Sequence, residues 1–293
     1  MKNKIIISVI IVFLAIIAGA LYVINKPMKD NGLETSKKMA IGVIVGSTSQ
    51  IDQYQAMIDH LNKNADHEWY LTRLKDYGSF ITQMQIGQIQ AGFAGSAIAY
   101  QMINNKVALP VVRGELNGIS TYNGYIFSRK DSGINKIEDF KNKKFAYVDA
   151  YTTAGYFFPI YFLKSRGYDP DQFFRVTSFV GSHDKAIISV LDGEYDGGAA
   201  KDVAWKKMSK DNPKIESELQ ILEQDGPFPD NTFMISADLG ESEVKELRDL
   251  FLSIGNTDKG KEALKKFGVD RFVVTEIGDF KNVKRIFDYL GKM

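Results

Sequence analysis

Short apolar runs that suit strands alternate along most of this chain with longer segments of helical apolar spacing, and that alternation narrows the fold class to α/β. Met39 to Val45 reads as a buried strand, followed by the polar loop Gly46-Ser47-Thr48-Ser49. Ile51, Tyr54, Met57, Ile58 and Leu61 then recur at helical spacing between Ile51 and Asn64. Trp69 to Leu74 predicts a second strand, Asp76-Tyr77-Gly78-Ser79 a helix start, Phe80 to Gly87 a short helix and Ala91 to Ala94 a third strand. Crossovers long enough to hold helices predict a parallel or mixed sheet covered on both faces.

A second unit of the same kind follows. Tyr125 to Ser128 reads as a strand, Asp131-Ser132-Gly133 as a turn, Ile137 to Phe140 as a short helix and Lys144 to Val148 as a strand ending in Asp149. A helix is predicted from about Thr153 to Ser165, then a strand over Phe174 to Phe179, a helix over Lys185 to Leu191 and a strand over Gly197 to Ala200. Glu241 to Leu252, Thr257 to Phe267 and Asn282 to Leu290 carry the spacing of amphipathic helices packing on a lobe. The expectation is two lobes. Residues 39–124 with 225–293 form a discontinuous lobe 1, residues 125–224 form lobe 2, and crossovers lie near Tyr122 to Tyr125 and Leu222 to Asn231. No close internal repeat is visible, so the likeness of the lobes is one of architecture.

The chain has 293 residues, 44% hydrophobic and 25% charged, enough to bury a substantial core. Its 37 Lys and Arg nearly balance 36 Asp and Glu, so a net charge of +1 provides no field for gathering nucleic acid. With no cysteine there is no disulfide, no thiolate metal site and no lipid-acceptor thiol. Lys2 and Lys4 precede an uncharged apolar run from Ile5 to Ile24, long enough to cross a bilayer core of roughly 30 Å. That run reads as a transmembrane anchor or, through Ala18-Gly19-Ala20, a cleaved signal peptide. With the lysines inside, the remaining chain is expected outside the cytoplasm, with residues 1–38 serving as anchor or signal and spacer.

Several predicted strand ends carry polar chemistry. Asp149-Ala150-Tyr151-Thr152-Thr153-Ala154-Gly155 runs from a strand through a hydroxyl-rich turn into a helix, where unpaired N–H groups and two threonine hydroxyls suit a tetrahedral anion. The same threonines could be simple N-caps. His183, in Gly181-Ser182-His183-Asp184 and one of only 3 histidines, stands at another helix start. A donor there would link anion binding to pH near neutrality. Ser47 and Thr48 in the first loop, Gly95 and Ser96 after another strand, and Tyr122 near a crossover complete the candidates. There is no P-loop, dinucleotide glycine fingerprint, His-Glu-x-x-His pair or nucleophile elbow, so neither an enzyme, a cofactor nor a metal is expected.

Taken together in order, Ile41 to Gln50, Asp76-Tyr77, Gly92 to Tyr100, Tyr122 to Asp131, Asp149 to Gly155, Gly181 to Asp184 and Gly193 to Asp196 resemble the phosphate/phosphite/phosphonate substrate-binding proteins of ABC transporters, within the type II periplasmic-binding superfamily. The resemblance implies a two-lobed, hinged α/β fold. It also implies that Thr152, Thr153, Ala154 and Gly155 stand where the family has a Ser-Thr-Ser-Gly turn on the phosphonyl oxygens, with Ala154 the departure from that pattern. His183 looks like the family's oxyanion-binding histidine, and Tyr122 like its pocket tyrosine. Acidic residues that meet a ligand amine in some members fall near Asp202 and near Asp230-Asn231, and Asn231 in place of a carboxylate disfavours an aminated ligand. The implied protein is a monomeric, extracytoplasmic binding component for a small phosphorus oxyanion, working with permease and ATPase subunits and held to the membrane by its N-terminal helix. The alternative is a ligand sensor reporting to a membrane signalling partner.

Overall fold

The computed structural model describes residues 38–44, 48–65 and 67–291. The apolar run Ile5 to Ile24 and Ser47 lie outside the described residues, and among those described no helix is long and apolar enough to cross a membrane. The described residues form one compact unit.

The first half builds β1 (Lys38–Ile44), α1 (Thr48–Leu61), β2 (Glu68–Leu74), α2 (Tyr77–Gln85), β3 (Ala91–Ala94), α3 (Ser96–Asn104) and β4 (Ala108–Glu115). Next come β5 (Thr121–Arg129), β6 (Lys144–Tyr147), a π-helical turn (Thr153–Phe157) running into α4 (Phe158–Ser165), α5 (Pro170–Phe173) and β7 (Val176–Phe179). They are followed by α6 (His183–Leu191), β8 (Gly197–Lys201), α7 (Asp202–Asp211), α8 (Lys214–Glu218) and β9 (Leu219–Pro229). The chain ends with β10 (Thr232–Ser236), α9 (Gly240–Ser253), α10 (Asp258–Phe267), β11 (Arg271–Val274) and α11 (Lys281–Leu290).

These strands make two mixed sheets, ordered β11-β4-β10-β3-β1-β2 and β7-β6-β8-β5-β9. In the first sheet β1 pairs parallel with β2 and β3 while β10 runs antiparallel between β3 and β4; in the second β6 is parallel to β7 and β8, and β5 is antiparallel to β8 and β9. The strands β5 and β9 lie wholly in the second sheet, so the chain passes between the sheets only at residues 116–120 and 230–231. The first passage precedes the expected Tyr122 to Tyr125, which belongs to β5, and the second falls at the end of the expected Leu222 to Asn231, the rest of which belongs to β9.

The alternation in β1 explains its burial. Met39, Ile41 and Val43 face a core shared with α1, α9 and α10, whereas Ala40 faces the opposite core with Leu74, Phe80 and Ile89. On that second face two glycines in register, Gly42 opposite Gly92, make room for the Phe80 ring. A Cβ on Gly92 would stand 2.4 Å from Phe80 and one on Gly42 only 2.6 Å from Ile89, so α2 can lie close on the strands only because both are glycine. Phe80 thereby fixes α2, whose first residue is Tyr77. The C-terminal α11 joins the halves: Phe287 packs on Tyr100 of α3 at 5.5 Å and on Phe157 of the π turn at 4.7 Å between ring centroids.

Candidate functional site

Five helical segments begin around one cavity of about 170 Å3 between the sheets. Each follows the carboxyl end of a strand: α2 after β2, α3 after β3, the π turn after β6, α6 after β7 and α7 after β8. Their first N–H groups lack intrahelical acceptors and carry the positive ends of the helix dipoles, and in open α/β sheets this is where ligands collect.

The turn at Thr152 to Gly155 owes its shape to three local causes. Asp149 tightens it, its carboxylate accepting from the Tyr151 N–H at 2.9 Å and its carbonyl from both the N–H (3.1 Å) and the hydroxyl (2.8 Å) of Thr152. Pro159 has no N–H to offer the carbonyl four residues back, and that carbonyl, on Gly155, accepts from Val148 N–H at 3.2 Å instead. The helix therefore opens wide, with Phe157 N–H bonding back to Thr152 at 3.1 Å, a π bulge of the kind that gathers at binding sites. Finally, a Cβ on Gly155 would lie 2.4 Å from Val148, so only glycine lets the turn pack on the end of β6.

At the cavity a chain of hydroxyls crosses from one sheet to the other. Ser96 Oγ, at the start of α3, lies 2.6 Å from Tyr122 Oη in β5 and 2.7 Å from Thr153 Oγ1 in the π turn. Three hydroxyls carry three protons and their two mutual bonds use two, leaving one O–H for a ligand. Tyr122 is fully buried, which pushes its phenol up and keeps it protonated.

Beside this chain stands Lys201 at the end of β8, the only charged group among the described residues of the lining. Burial opposes its charge, but Asp230, with Oδ1 at 2.8 Å, and the face of Tyr122, whose ring centroid is 4.1 Å from Nζ, outweigh it, and the ammonium is held above the ordinary lysine range. Burial likewise opposes the Asp230 carboxylate, yet Lys201 and the Asn231 N–H at 2.8 Å hold it ionised below the usual range. His183 is different. Burial, with the Lys201 charge nearby, pulls its pKa from 6.5 to about 3. Its Nδ1 accepts the backbone N–H of Lys201 at 3.2 Å, so the neutral ring keeps its proton on Nε2 as a donor.

The structure gathers Tyr122, Thr152, Thr153, Ala154, His183, Gly95, Ser96 and Asn231 at this cavity. It changes the roles expected for several of them. Thr152 spends its hydroxyl proton on Asp149, so only Thr153 presents a hydroxyl to the cavity chain. His183, its pKa pulled down to about 3, keeps the Nε2 proton and takes up no second one near pH 7, contrary to the pH linkage expected of it. Gly155 is a packing residue behind the lining. Asp202 does not line the cavity: its carboxylate accepts from the Asn123 N–H at 3.0 Å and Lys206 Nζ at 2.9 Å. Neighbouring residues at a strand end point to opposite sides, and it is Lys201 that turns inward. Thr48 is placed as the first residue of α1, and Ser47 is outside the described residues.

Sequence reasoning missed Lys201, Ile98, Tyr77 and Tyr151 as lining residues. Tyr77 and Tyr151 face each other, with ring centroids 6.2 Å apart, one from α2 and one from the turn after β6. The signal for Tyr77 was present, since Asp76 caps α2 by accepting the Ser79 N–H and hydroxyl, each at 2.8 Å. Among the described residues no group of His, Asp or Glu side chains could hold a metal ion.

Among the described residues the cavity is lined by donors, one cation and no carboxylate, the chemistry that suits an anion. Comparison with known proteins agrees. The family model for the ABC transporter, phosphonate, periplasmic substrate-binding protein matches residues 42–280. A probable ABC transporter phosphite binding protein, PhnD1 of Prochlorococcus marinus, is 26% identical over 270 residues, covering 88% of this chain and 91% of its own length. The phosphate-import protein PhnD of Mycolicibacterium smegmatis is 23% identical over 262 residues, covering 85% of this chain and 81% of that protein. The structure of the Prochlorococcus PhnD1 in complex with methylphosphonate has the same fold, with TM-score 0.72, 23% identity and coverage of 88% of this chain and 99% of that one. XAC2383 from Xanthomonas citri, bound to chloride ion, gives TM-score 0.77 at 18% identity, covering 88% and 98%. By the extent of the family match, this chain belongs to the periplasmic phosphonate-binding proteins of ABC transporters, extracytoplasmic substrate-binding components and not enzymes.

Proposed function

We propose that the cavity takes a small phosphorus oxyanion, a phosphonate, phosphite or phosphate, which the chain presents to the permease and ATPase subunits of an ABC importer. The observation that carries this reading is the Thr153–Ser96–Tyr122 hydroxyl chain, set among five helix starts with the Lys201 ammonium beside it. Tetrahedral oxygens suit such a cluster, since each oxygen accepts several bonds from donors that converge from different directions. Size supports it too: about 170 Å3 is well below the roughly 300–1,000 Å3 of drug-sized pockets and leaves space for a few heavy atoms. The relatives are named for phosphite binding and phosphate import, and one was crystallised with methylphosphonate.

The mechanism is closure of two lobes about the passages at residues 116–120 and 230–231. The ligand docks on the Thr153 turn, and the lobe bearing Ser96 closes on it, so ligand contacts favour the closed state that the permease recognises. The Ile5 to Ile24 run, after Lys2 and Lys4, would hold this binding unit at the outer face of the membrane or export it. Calorimetric titration of the full-length protein with phosphate, phosphite and methylphosphonate tests the reading. Saturable binding of at least one at low micromolar concentration is expected, and failure of all three at high micromolar concentration would overturn it.

A further inference from the structure

Lys201 raises a question that the family assignment leaves open: what may be attached to the oxyanion. Every other group in the lining is neutral, since His183 keeps an uncharged ring, Tyr122 and Tyr77 are phenols, and Asn231 is an amide. Asp230, a carboxylate next in sequence to the lining residue Asn231, stands behind Lys201, bonded to Nζ at 2.8 Å and to the Asn231 N–H at 2.8 Å. Asp202 is likewise turned away onto Asn123 and Lys206. A ligand amine inside so small a cavity would therefore meet a fixed ammonium and no counter-charge. The lysine cannot easily swing aside, because Asp230 holds its Nζ and the Tyr122 ring lies beneath it at 4.1 Å.

We infer that Lys201 is a specificity-determining residue, one that admits phosphorus oxyanions whose substituent is absent, neutral or anionic and rejects those that carry an amine. The inference rests on the oxyanion reading above and extends it from the head group to the tail. Lys201 acts on the ligand in two ways: its charge attracts the oxyanion, and its bond to Asp230 keeps that carboxylate from serving as an amine acceptor. Removing the lysine charge while retaining a hydrogen-bonding side chain should release Asp230 to the cavity, where it would pair with a ligand ammonium.

The test compares methylphosphonate, propylphosphonate and 2-aminoethylphosphonate by calorimetry on the full-length protein, the last two being alike in length and different in charge. The wild type is expected to bind propylphosphonate at least about ten-fold more tightly than 2-aminoethylphosphonate, as like-charge contacts at an interface predict. Lys201→Gln should weaken methylphosphonate binding and bring the ratio of the other two to one or below. Lys201→Arg should keep the preference for the uncharged tail. Methylphosphonate binding together with equal or tighter binding of the amine by the wild type would overturn the inference and leave the oxyanion reading standing. An unchanged ratio in Lys201→Gln, with a melting curve showing a folded protein, would overturn it as well. Binding of none of the three, with phosphate or phosphite still bound, would overturn this inference and leave the oxyanion reading standing; failure of phosphate and phosphite as well would sink both.

Discussion

The wall of the cavity built from the second sheet and the wall built from the first offer an anion different things. From the second come Thr153 at the mouth of the π turn, the His183 Nε2–H donor, the Tyr122 phenol and the Lys201 ammonium. From the first come Ser96, Gly95, Ile98 and Tyr77, in which two hydroxyls and two helix starts do the polar work. Nearly all of the charge and most of the donors are thus fixed on one side, and the other contributes contacts that count once the two sides meet. Such a division suits a protein that must capture first and close second, because the closing wall can then report on what the capturing wall has bound.

Breaking the capturing wall should cost most. In Thr153→Val the shape is kept and the hydroxyl is lost from a residue only 2% exposed. A hydrogen bond to a charged group contributes about 1.5–3 kcal/mol, so methylphosphonate affinity should fall roughly ten- to hundred-fold. Calorimetry with a matched melting curve checks this. Unchanged affinity would mean that the turn only shapes the chain, and that the capturing role lies with His183 and Lys201.

Much of this wall was legible from the sequence, because a strand, a polar turn and a helix start leave a local signature. Thr153 and His183, and Ser96 on the opposite wall, all stand at such junctions. What could not be read was direction and environment. Asp202 and Lys201 differ by one residue, and a single position at the end of β8 decides which side chain meets the cavity. The Thr152 hydroxyl is spent on Asp149 because the turn folds back, a feature of three-dimensional shape with no residue pattern of its own. Likewise β4, β10 and β11 escaped notice: Pro110, Arg113 and Gly114 interrupt the first, and the others are only 5 and 4 residues long, kept in place by pairing with distant strands.

The same wall should be insensitive to pH as a binder and sensitive as a folded structure. His183 in the unfolded chain takes a proton near 6.5, whereas the folded site resists protonation down to about 3. Its contribution to stability is therefore complete above pH 6.5 and is lost as pH falls through that window, amounting to about 1–2 kcal/mol by pH 5. Melting curves from pH 8 to 5 on the wild type and His183→Gln should diverge only on the acid side. Methylphosphonate affinity over the same range should follow the ionisation of the ligand, and an extra break near pH 6.5 that vanishes in His183→Gln would show a charged histidine in the site.

On the closing wall, Ser96→Ala removes the middle hydroxyl and leaves Tyr122 and Thr153 without their shared partner. Since the capturing wall stays whole, the expected loss is about 1 kcal/mol, seen chiefly as faster ligand release in stopped-flow measurements. A loss as large as that of Thr153→Val would abolish the distinction between the two walls.

The smallest effect is expected where the walls touch without charge. Tyr77 and Tyr151 meet at 6.2 Å between centroids, and Tyr151 is 39% exposed, so their contact is an aromatic one at the rim. Aromatic pairs contribute about 0.5–1.5 kcal/mol, and partial exposure places this one at the low end. Tyr151→Ala should therefore raise the release rate of methylphosphonate about two- to three-fold and leave the association rate almost unchanged, because a contact at the rim covers the oxyanion without drawing it in. A slower association in that variant would show Tyr151 to be an early contact and not a cover.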